Sequence, residues 1–418
     1  MAARRPHRLA VLLGGEHAGW LTQDPQEQFS YDPGYQGTPN PTPLSISLPL
    51  TPATYRQRQV KPWFDGLLPD NDDVRRRWAS RFGVPATNSF LLLAHMGVES
   101  PGAVQLCFPD EIDAVQAQRG EYLPVDDNDI AARLEQLRRD SSDWNVSGER
   151  WSLGGAQSKF ALAWKDGRWH EALGSTATTH IVKPGAQGYL GHGLNEHLTM
   201  ATASRLGLRT AMSRYHEFNG LGAIIVTRYD RISPQGKAIR VHQEDLCQAL
   251  GVPRGKKYEE SGGPGAATIS DLLWEVSGDE DVWRFNESLV FNYLVGGSDA
   301  HAKNFALLLS GSQVRLAPLY DLSSALLYDP RGDDSGLHRL AMAVGGERRF
   351  GRVSEENWVK LARRARLDPG RMVDRLRSLA TDLPDALSAV IAETGASDKE
   401  TPARYLARLV DYLRNAVH

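Results

Sequence analysis

Cysteine is almost missing from this 418-residue chain: Cys107 and Cys247 are the only two. That excludes a disulfide framework and suits a reducing compartment. Long apolar runs are missing as well, and nothing approaches the roughly 20 consecutive apolar residues that span a bilayer. The start, MAARRPHRLAVLLGGEHAGW, sets arginines before apolar residues as a secretory leader does. LAVLL is too short for a leader's hydrophobic region and runs straight into GGEHAGW, so a first strand with a hairpin turn is expected, in a cytoplasmic protein. An excess of one charge is also lacking. With 48 Lys and Arg against 51 Asp and Glu, the net charge of -3 offers no global attraction to nucleic acid or anionic lipid. There is no Walker A phosphate loop and no H-E-x-x-H zinc motif, and no internal repeat is visible. His192 and His197 flank a loop–helix junction, where ordinary polar contacts explain them better than a metal does.

What is present is an ordered succession of short elements. Residues 8 to about 60 alternate apolar runs with clusters such as GGEH and DPGYQGTPNPTP, the pattern of a small antiparallel sheet. Helical periodicity begins near FDGLLPDNDDVRRRWASRFG, with Asp70 or Asn71 as cap, and returns at TNSFLLLAHMG. Residues 121–145, acidic and then basic, predict an exposed helix and a linker. Strands are expected in RWSLGGAQSKFALAW, WHEALGS and HIVKP. A helix follows over NEHLTMATASRLGL, with Leu194, Leu198 and Ala201 on one face and Gly207 as its stop, and then the strand GAIIVTRYDR. Beyond about residue 240 the chain reads as helical, apart from the hairpin FALLL-SGSQ-VRLAP, and its tail from about 353 carries three amphipathic helices. The expected fold is α+β and two-lobed with a cleft. Residues 1–110 form a small β-rich N-terminal subdomain with helices, 111–240 a mixed lobe, and 241–418 a helical lobe.

Residues 296–305, GGSDAHAKNF, concentrate polar chemistry behind the apolar run FNYLV. Asp299 and Asn304 have the D-x-x-x-x-N spacing with which protein kinases converge a base and a magnesium ligand on one phosphoryl group. Alone the spacing is weak, because Asp and Asn are common turn residues. Its setting is more telling. A buried helix, with Val282, Phe285, Leu289, Tyr293 and Leu294 at helical spacing, delivers the loop, and the hairpin behind it returns a second acid, Asp321. Asp321 could equally cap a helix over LSSALL.

Phosphoryl transfer also needs groups for a nucleotide. Gly154 and Gly155 in WSLGGAQSKF would let backbone N–H groups approach phosphates, although the stretch lacks the G-x-G-x-x-G pattern and a hairpin turn explains it as well. Lys183 ends an apolar strand, either as an edge charge or as a cleft lysine. Glu196 follows thirteen positions later, near the spacing at which kinases pair such a lysine, or simply as a favourable charge near a helix N-terminus. The strand GAIIVTRYDR suits a hinge beside adenine.

Together the stretches SLGGAQSKFAL, HIVKP, NEHLTM, VTRYDR, HQEDLCQALGV, KYEESGGPG, FNYLVGGSDAHAKNF and LAPLYDLSSAL resemble the HipA family of bacterial serine/threonine kinase toxins. FDGLLPDN and the sheet-rich start resemble that family's N-terminal subdomain. The resemblance runs in order along nearly the whole chain and implies a kinase-like fold using ATP and Mg2+. It implies Asp299 as catalytic base, Asn304 and Asp321 as metal ligands, and Lys183 on the nucleotide phosphates. The loop Gly154, Gly155, Ala156, Gln157, Ser158 and Lys159 would cover those phosphates, with Thr227, Arg228 and Tyr229 lining the adenine hinge. His301 and Lys303 would sit near the transferred phosphate, and Tyr320 beside the nucleotide. Ser152 would be autophosphorylated, with Ser158 a weaker candidate, and the modification would hold the loop away from ATP. Gly297 and Ser298 stand where protein kinases carry His-Arg before the base, and Tyr320-Asp321-Leu322 replaces Asp-Phe-Gly; both departures are of the HipA type.

The implied partners are a HipB-like helix-turn-helix antitoxin and a translation-factor substrate, an aminoacyl-tRNA synthetase, with DNA reached through the antitoxin complex and no membrane. Arg348, Arg349, Arg352, Arg363, Arg364 and Arg366 could touch phosphates in such a complex, though a solvated helix face explains most of them. Two rivals are a kinase-fold subunit that binds without turnover and a small-molecule kinase.

Overall fold

Alternating apolar residues at the start of the chain build a five-stranded antiparallel sheet. Its strands lie in the order Tyr55–Arg56, Glu27–Tyr31, Glu16–Gln23, Arg8–Leu13 and Val104–Cys107. The expected first strand and hairpin are therefore present. This computed structural model describes residues 7–232, 238–328, 339–395 and 400–416, with side chains to residue 413. Helices Gln57–Gly66, Asp72–Phe82 and Ser89–Met96 complete the N-terminal subdomain, burying Trp63, Phe64, Trp78 and Phe90. Asn71, not Asp70, caps the second of these, accepting from the Asp73 N–H at 2.9 Å.

A six-stranded antiparallel sheet forms the next layer, ordered Ser213–Phe218, Leu221–Thr227, His180–Lys183, Phe160–Lys165, Arg168–Ala172 and Tyr122–Val125. Its inner residues Phe160, Leu162, Val182 and Ile225 share one hydrophobic core with the N-terminal subdomain. Helix Asp127–Arg139 was expected to be exposed. Instead it buries Ile130, Leu134 and Leu137, and its Arg133 pairs with the buried Glu149 at 2.6 Å. The charge pattern marks only the outer face of that helix.

The second lobe is mainly helical: Ala266–Val276, Asp279–Leu294, Glu355–Arg364, Pro369–Thr394 and Glu400–Ala416. The three tail helices stand where amphipathic periodicity put them. The expected hairpin is Ala306–Ser310 with Gln313–Leu316, and a strand missed in the sequence, His242–Asp245, adds to its other edge. A further hairpin, Arg339–Val344 with Glu347–Arg349, was also missed. No helix starts at LSSALL, so Asp321 is not a helix cap. Residues 321–328 run as coil and turns, and Asp321 itself has φ +56°.

Side-chain alternation in His242–Asp245 fastens the lobes together. His242 and Glu244 face the N-terminal subdomain. A His242 ring nitrogen lies 2.9 Å from Leu44 O, while the Glu244 carboxylate accepts from Ser45 Oγ at 2.5 Å, Ile46 N at 2.8 Å and Trp63 Nε1 at 2.9 Å. Gln243 faces the opposite way, accepting from Tyr229 Oη and donating to Asp230 Oδ2 at 3.2 Å.

A buried ion cluster fixes the link between lobes. Glu99, 2% exposed, accepts from Arg228 at 3.1 Å, Arg231 at 2.9 Å and Arg240 at 2.6 Å, and Asp230 also pairs with Arg228 and Arg231. Burial alone would favour protonated Glu99, but Arg231, Arg240 and Arg228 outweigh it and hold the carboxyl far below its ordinary value. Replacing Glu99 by Ala strands buried guanidinium groups and is expected to cost about 3–5 kcal/mol in urea denaturation. The same depressed pKa means that this contribution is complete at neutral pH. It is lost as pH falls below about 4 toward the folded-state value, measurable as a steeper acid limb in wild type than in Glu99→Gln.

Candidate active site

Lys183 is a buried cation in the cleft, paired with two acids. The strand His180–Lys183 ends on this residue, its side chain 7% exposed, where the ammonium donates to Glu196 Oε1 at 2.7 Å and also to Asp321 Oδ1. Burial opposes its charge, but Asp321 and Glu196 more than compensate and hold its pKa above the usual lysine value. Two acids share this one cation, so they diverge. Burial raises both, but Lys183 and Lys159 pull Asp321 far below the ordinary range, whereas Glu196 ends up raised. Glu196 reaches Lys183 from helix His192–Arg205, the pairing that the thirteen-residue spacing suggested.

The polar loop is delivered as its neighbours require. Helix Asp279–Leu294 runs to its end with Phe285, Val290, Phe291 and Leu294 buried. Gly296 then turns at φ +66°, where a Cβ would meet the Leu326 side chain at 2.6 Å, and a Cβ on Gly297 would lie 2.5 Å from Asn292 Oδ1. The two glycines are thus a steric necessity at the exit of a buried helix. Beyond them, Asn304 Nδ2 donates to Asp299 O at 2.7 Å, tying the two ends of the D-x-x-x-x-N loop together. His301 is 4% exposed, and burial pushes its imidazole down to about 4, so it is neutral at physiological pH. Tyr320 Oη donates to Lys303 O at 2.8 Å, which docks the returning segment onto the same loop.

One cavity of about 520 Å3 collects these groups, within the range of ordinary ligand pockets. It is lined by Gly154 to Lys159, Lys183, Glu196, Thr227, Arg228, Tyr229, Asp299, His301, Lys303, Asn304, Tyr320 and Asp321. Arg228 has no spare side-chain hydrogen. All five of its guanidinium N–H groups go to Asp230, Glu99, Thr178 and Ser100 O, and its main-chain N–H goes to Thr179 O at 2.9 Å. Lys159 bends back, donating to Gly154 O at 2.7 Å, and burial followed by Lys183 lowers its ammonium to about 8. Ser158 lines the cavity while donating to Ser141 O at 2.9 Å. Ser152 lies outside the cavity lining. It is fully buried and donates to Leu67 O at 2.7 Å.

The sequence did not mark the N-terminal subdomain's share of this site. Asp70 N donates to Gly155 O at 2.9 Å, holding the glycine-rich loop, while its carboxylate accepts from Lys303 Nζ at 2.7 Å. Burial resists ionisation of Asp70, yet Lys303, Lys257 and Arg254 together hold its carboxyl below the ordinary value. Gly154 approaches so closely that a Cβ would lie 3.2 Å from Gly66 O. Tyr258 was missed too; its hydroxyl donates to Asp299 Oδ1 at 2.6 Å. The two histidines set aside as metal ligands divide. His192 lines the cavity and His197 lies 3.0 Å from Ser213 Oγ. Among the described residues no cluster of three or more His, Cys, Asp or Glu could hold a metal. Several tail arginines are paired: Arg348 with Glu260, and Arg364 and Arg366 with Asp271.

Comparison with known proteins bears on this geometry. Residues 151–387 match the HipA-like C-terminal domain and residues 9–107 the HipA N-terminal domain. The Sinorhizobium fredii protein Y4mE is 34% identical, over 92% of this chain and 92% of its own. The serine/threonine-protein kinase toxin HipA of Shewanella oneidensis is 27% identical, over 84% of this chain and 81% of its own. The solved complex of Shewanella oneidensis HipA with HipB and operator DNA contains a chain that superposes with a TM-score of 0.82. The two chains are 25% identical, and the match covers 97% of this one and 96% of the other. The two-lobed α+β kinase-like fold is that of HipA.

The Asp70–Lys303 pair makes a separable expectation. Asp70→Asn leaves a buried ammonium without its partner and is expected to cost about 3 kcal/mol of stability. Asp70→Asn combined with Lys303→Met should cost less than the sum of the single changes, giving a coupling energy of about 1–3 kcal/mol in a double-mutant cycle.

Proposed function

The chain belongs to the HipA family, and from that premise we propose that it is an ATP- and Mg2+-dependent serine/threonine protein kinase, the toxin partner of a HipB-like helix-turn-helix antitoxin. One observation carries the reading: Lys183, Glu196, Asp299, Asn304 and Asp321 border a single cavity beneath a glycine-rich loop. Lys183, oriented by Glu196, serves the nucleotide phosphates. Gly154 to Lys159 cover them, and Thr227, Arg228, Tyr229 and Tyr320 border the base. The donor set suits magnesium, which takes a few hard protein oxygens and completes its shell with phosphates and water. Asp321 offers a carboxylate. Asn304 spends its amide N–H on Asp299 O, which leaves its amide oxygen as a ligand atom. Bound there, Mg2+ would neutralise phosphate charge.

Within the chain, Asp299 takes the proton of the acceptor hydroxyl. His301 contributes a neutral ring at the transferred phosphate, and Lys303, anchored by Asp70, contributes a fixed positive charge. Catalysis of this kind comes from positioning and charge complementarity, because phosphoryl transfer asks little covalent chemistry of the protein.

The site also suggests self-control. A phosphate on Ser152 cannot be accommodated against Leu67 O, since it replaces the donated hydroxyl hydrogen with a doubly charged group in a dry position. Ser152 must leave that position to react, and once modified it keeps the glycine-rich loop open and the enzyme off. We assign the protein substrate to the translation machinery, as an aminoacyl-tRNA synthetase, and the setting to the cytoplasm. DNA contact comes through the antitoxin complex.

Incubating the protein with labelled ATP, Mg2+ and a host lysate, followed by mass spectrometry, tests this function. Label is expected on serine or threonine of one protein and on Ser152. ATP binding without transfer would instead mark a non-catalytic antitoxin partner, and label on small molecules a small-molecule kinase. Asp299→Ala should reduce transfer at least about 100-fold with unchanged thermal unfolding, because the Asp299 side chain is 60% exposed. Ser152→Asp should weaken ATP binding while Ser152→Ala retains it, as read by nucleotide titration.

A further inference from the structure

The segment 254–263 crosses the catalytic loop as a strap fastened on both sides. Toward the N-terminal subdomain, Arg254 donates to Asp70 O and to Asp72 Oδ1, each at 2.8 Å. Toward the helical lobe, Glu259 Oε2 accepts from Ala343 N at 2.5 Å and Glu260 Oε2 from Arg348 at 2.8 Å. Between these anchors Ala302 N, in the catalytic loop, donates to Lys257 O at 3.3 Å. Tyr258 then lays its ring edge-on against His301, with centroids 4.9 Å apart, and delivers its hydroxyl to Asp299 Oδ1 at 2.6 Å.

That contact stands out because so little else holds the carboxylate. The Asp299 side chain is 60% exposed, and His301 Nε2 lies 3.9 Å from Oδ1, too far for a hydrogen bond. Asn304 grips only the Asp299 main-chain carbonyl. Among the described residues, Tyr258 supplies the one hydrogen bond to the carboxylate, and Oδ2 has none. An exposed aspartate without such a partner moves among rotamers, and a base must sit within hydrogen-bond reach of the proton it removes. Burial, then the Asp299 charge, raises the phenol well above its ordinary value, so it remains a donor throughout the neutral range.

We propose that Tyr258 is the positioning residue of the acceptor site: it pins Oδ1 of Asp299 so that Oδ2 faces the incoming hydroxyl. The inference rests on the kinase reading above and deepens it. In the step it supports, the acceptor oxygen forms a bond to the γ-phosphorus and the bond from that phosphorus to the bridging oxygen of ATP breaks. ADP departs, and the acceptor proton passes to Oδ2. Tyr258 keeps its own proton and contributes no atom. The strap explains the geometry. It runs from the N-terminal subdomain to the helical lobe and lays the Tyr258 ring over the loop.

The test is Tyr258→Phe, which removes one hydroxyl and keeps the ring on His301. Transfer of labelled phosphate from ATP to the chain itself and to dephosphorylated casein is followed across a range of ATP concentrations, together with thermal unfolding. The expected result is a fall in kcat of about 10-fold or more with KM for ATP unchanged and unfolding unshifted, because a base misplaced by an ångström can cost up to about 100-fold. Glu260→Gln, which loosens the strap but leaves the phenol, is expected to keep the wild-type kcat. Equal kcat in Tyr258→Phe and an active wild type would overturn the inference alone. It would equally fail if Tyr258→Phe raised KM for ATP and lowered the unfolding temperature, or if Glu260→Gln lost as much kcat. A wild-type protein that transfers no phosphate would remove the kinase reading and this inference with it.

Discussion

One ammonium, that of Lys183, organises the cleft. It ends a strand of the mixed lobe, meets Glu196 from a helix of the same lobe, and reaches across to Asp321, which enters from the far side of the hairpin in the helical lobe. A buried cation of this kind must be paired, since leaving it unpaired would cost several kcal/mol (roughly 3–5 by analogy with broken buried pairs). The requirement therefore acts on architecture: strand, helix and hairpin must converge for the charge to be tolerated. Because two acids compete for the single cation, Asp321 holds its charge while Glu196 is pushed toward protonation. The carboxylate kept ionised is the more exposed of the two.

A second constraint works through main-chain alternation. His242–Asp245 is a short strand whose successive side chains point in opposite directions, and each direction has a separate task. Glu244 and His242 bind the N-terminal subdomain, and Gln243 binds Tyr229 and Asp230 beside the cavity. The N-terminal subdomain is therefore seated by the same strand that borders the site. It returns contact directly through Asp70, which touches the glycine-rich loop with its backbone and the D-x-x-x-x-N loop with its carboxylate. A kinase-like cleft usually counts two walls, and here a third body reaches both loops.

Much of this was legible locally. The helix before GGSDAHAKNF, the hairpin behind it, the D-x-x-x-x-N spacing and the Lys183–Glu196 interval are short-range patterns, and each stands where its pattern put it. What stayed hidden depends on partners far along the chain. Asp70 and Lys303 are 233 positions apart; in sequence Asp70 looked like a helix cap, a duty that falls to Asn71. Tyr258 lies in KYEE, which carries no periodicity, and its partner Asp299 is 41 positions away. Glu99, between Val98 and Ser100, has no local sign that three arginines converge on it. Residues 121–145 were misjudged for a related reason. Charge along a helix reports its wet face and says nothing of how dry the other face is.

The hub around Glu99 carries an implication for how such a chain can change. Its three guanidinium groups and two carboxylates come from residue 99 and from Arg228, Asp230, Arg231 and Arg240. Positive charge there exceeds negative by one, in a place almost without water, so every carboxylate is already oversubscribed. Drift at any one of these five positions is penalised until a compensating change arrives at another. Segments spanning the joint between lobes are consequently poor candidates for piecemeal exchange with a relative, and chimaeras cut between residues 99 and 228 inherit half of an accounting that only closes as a set.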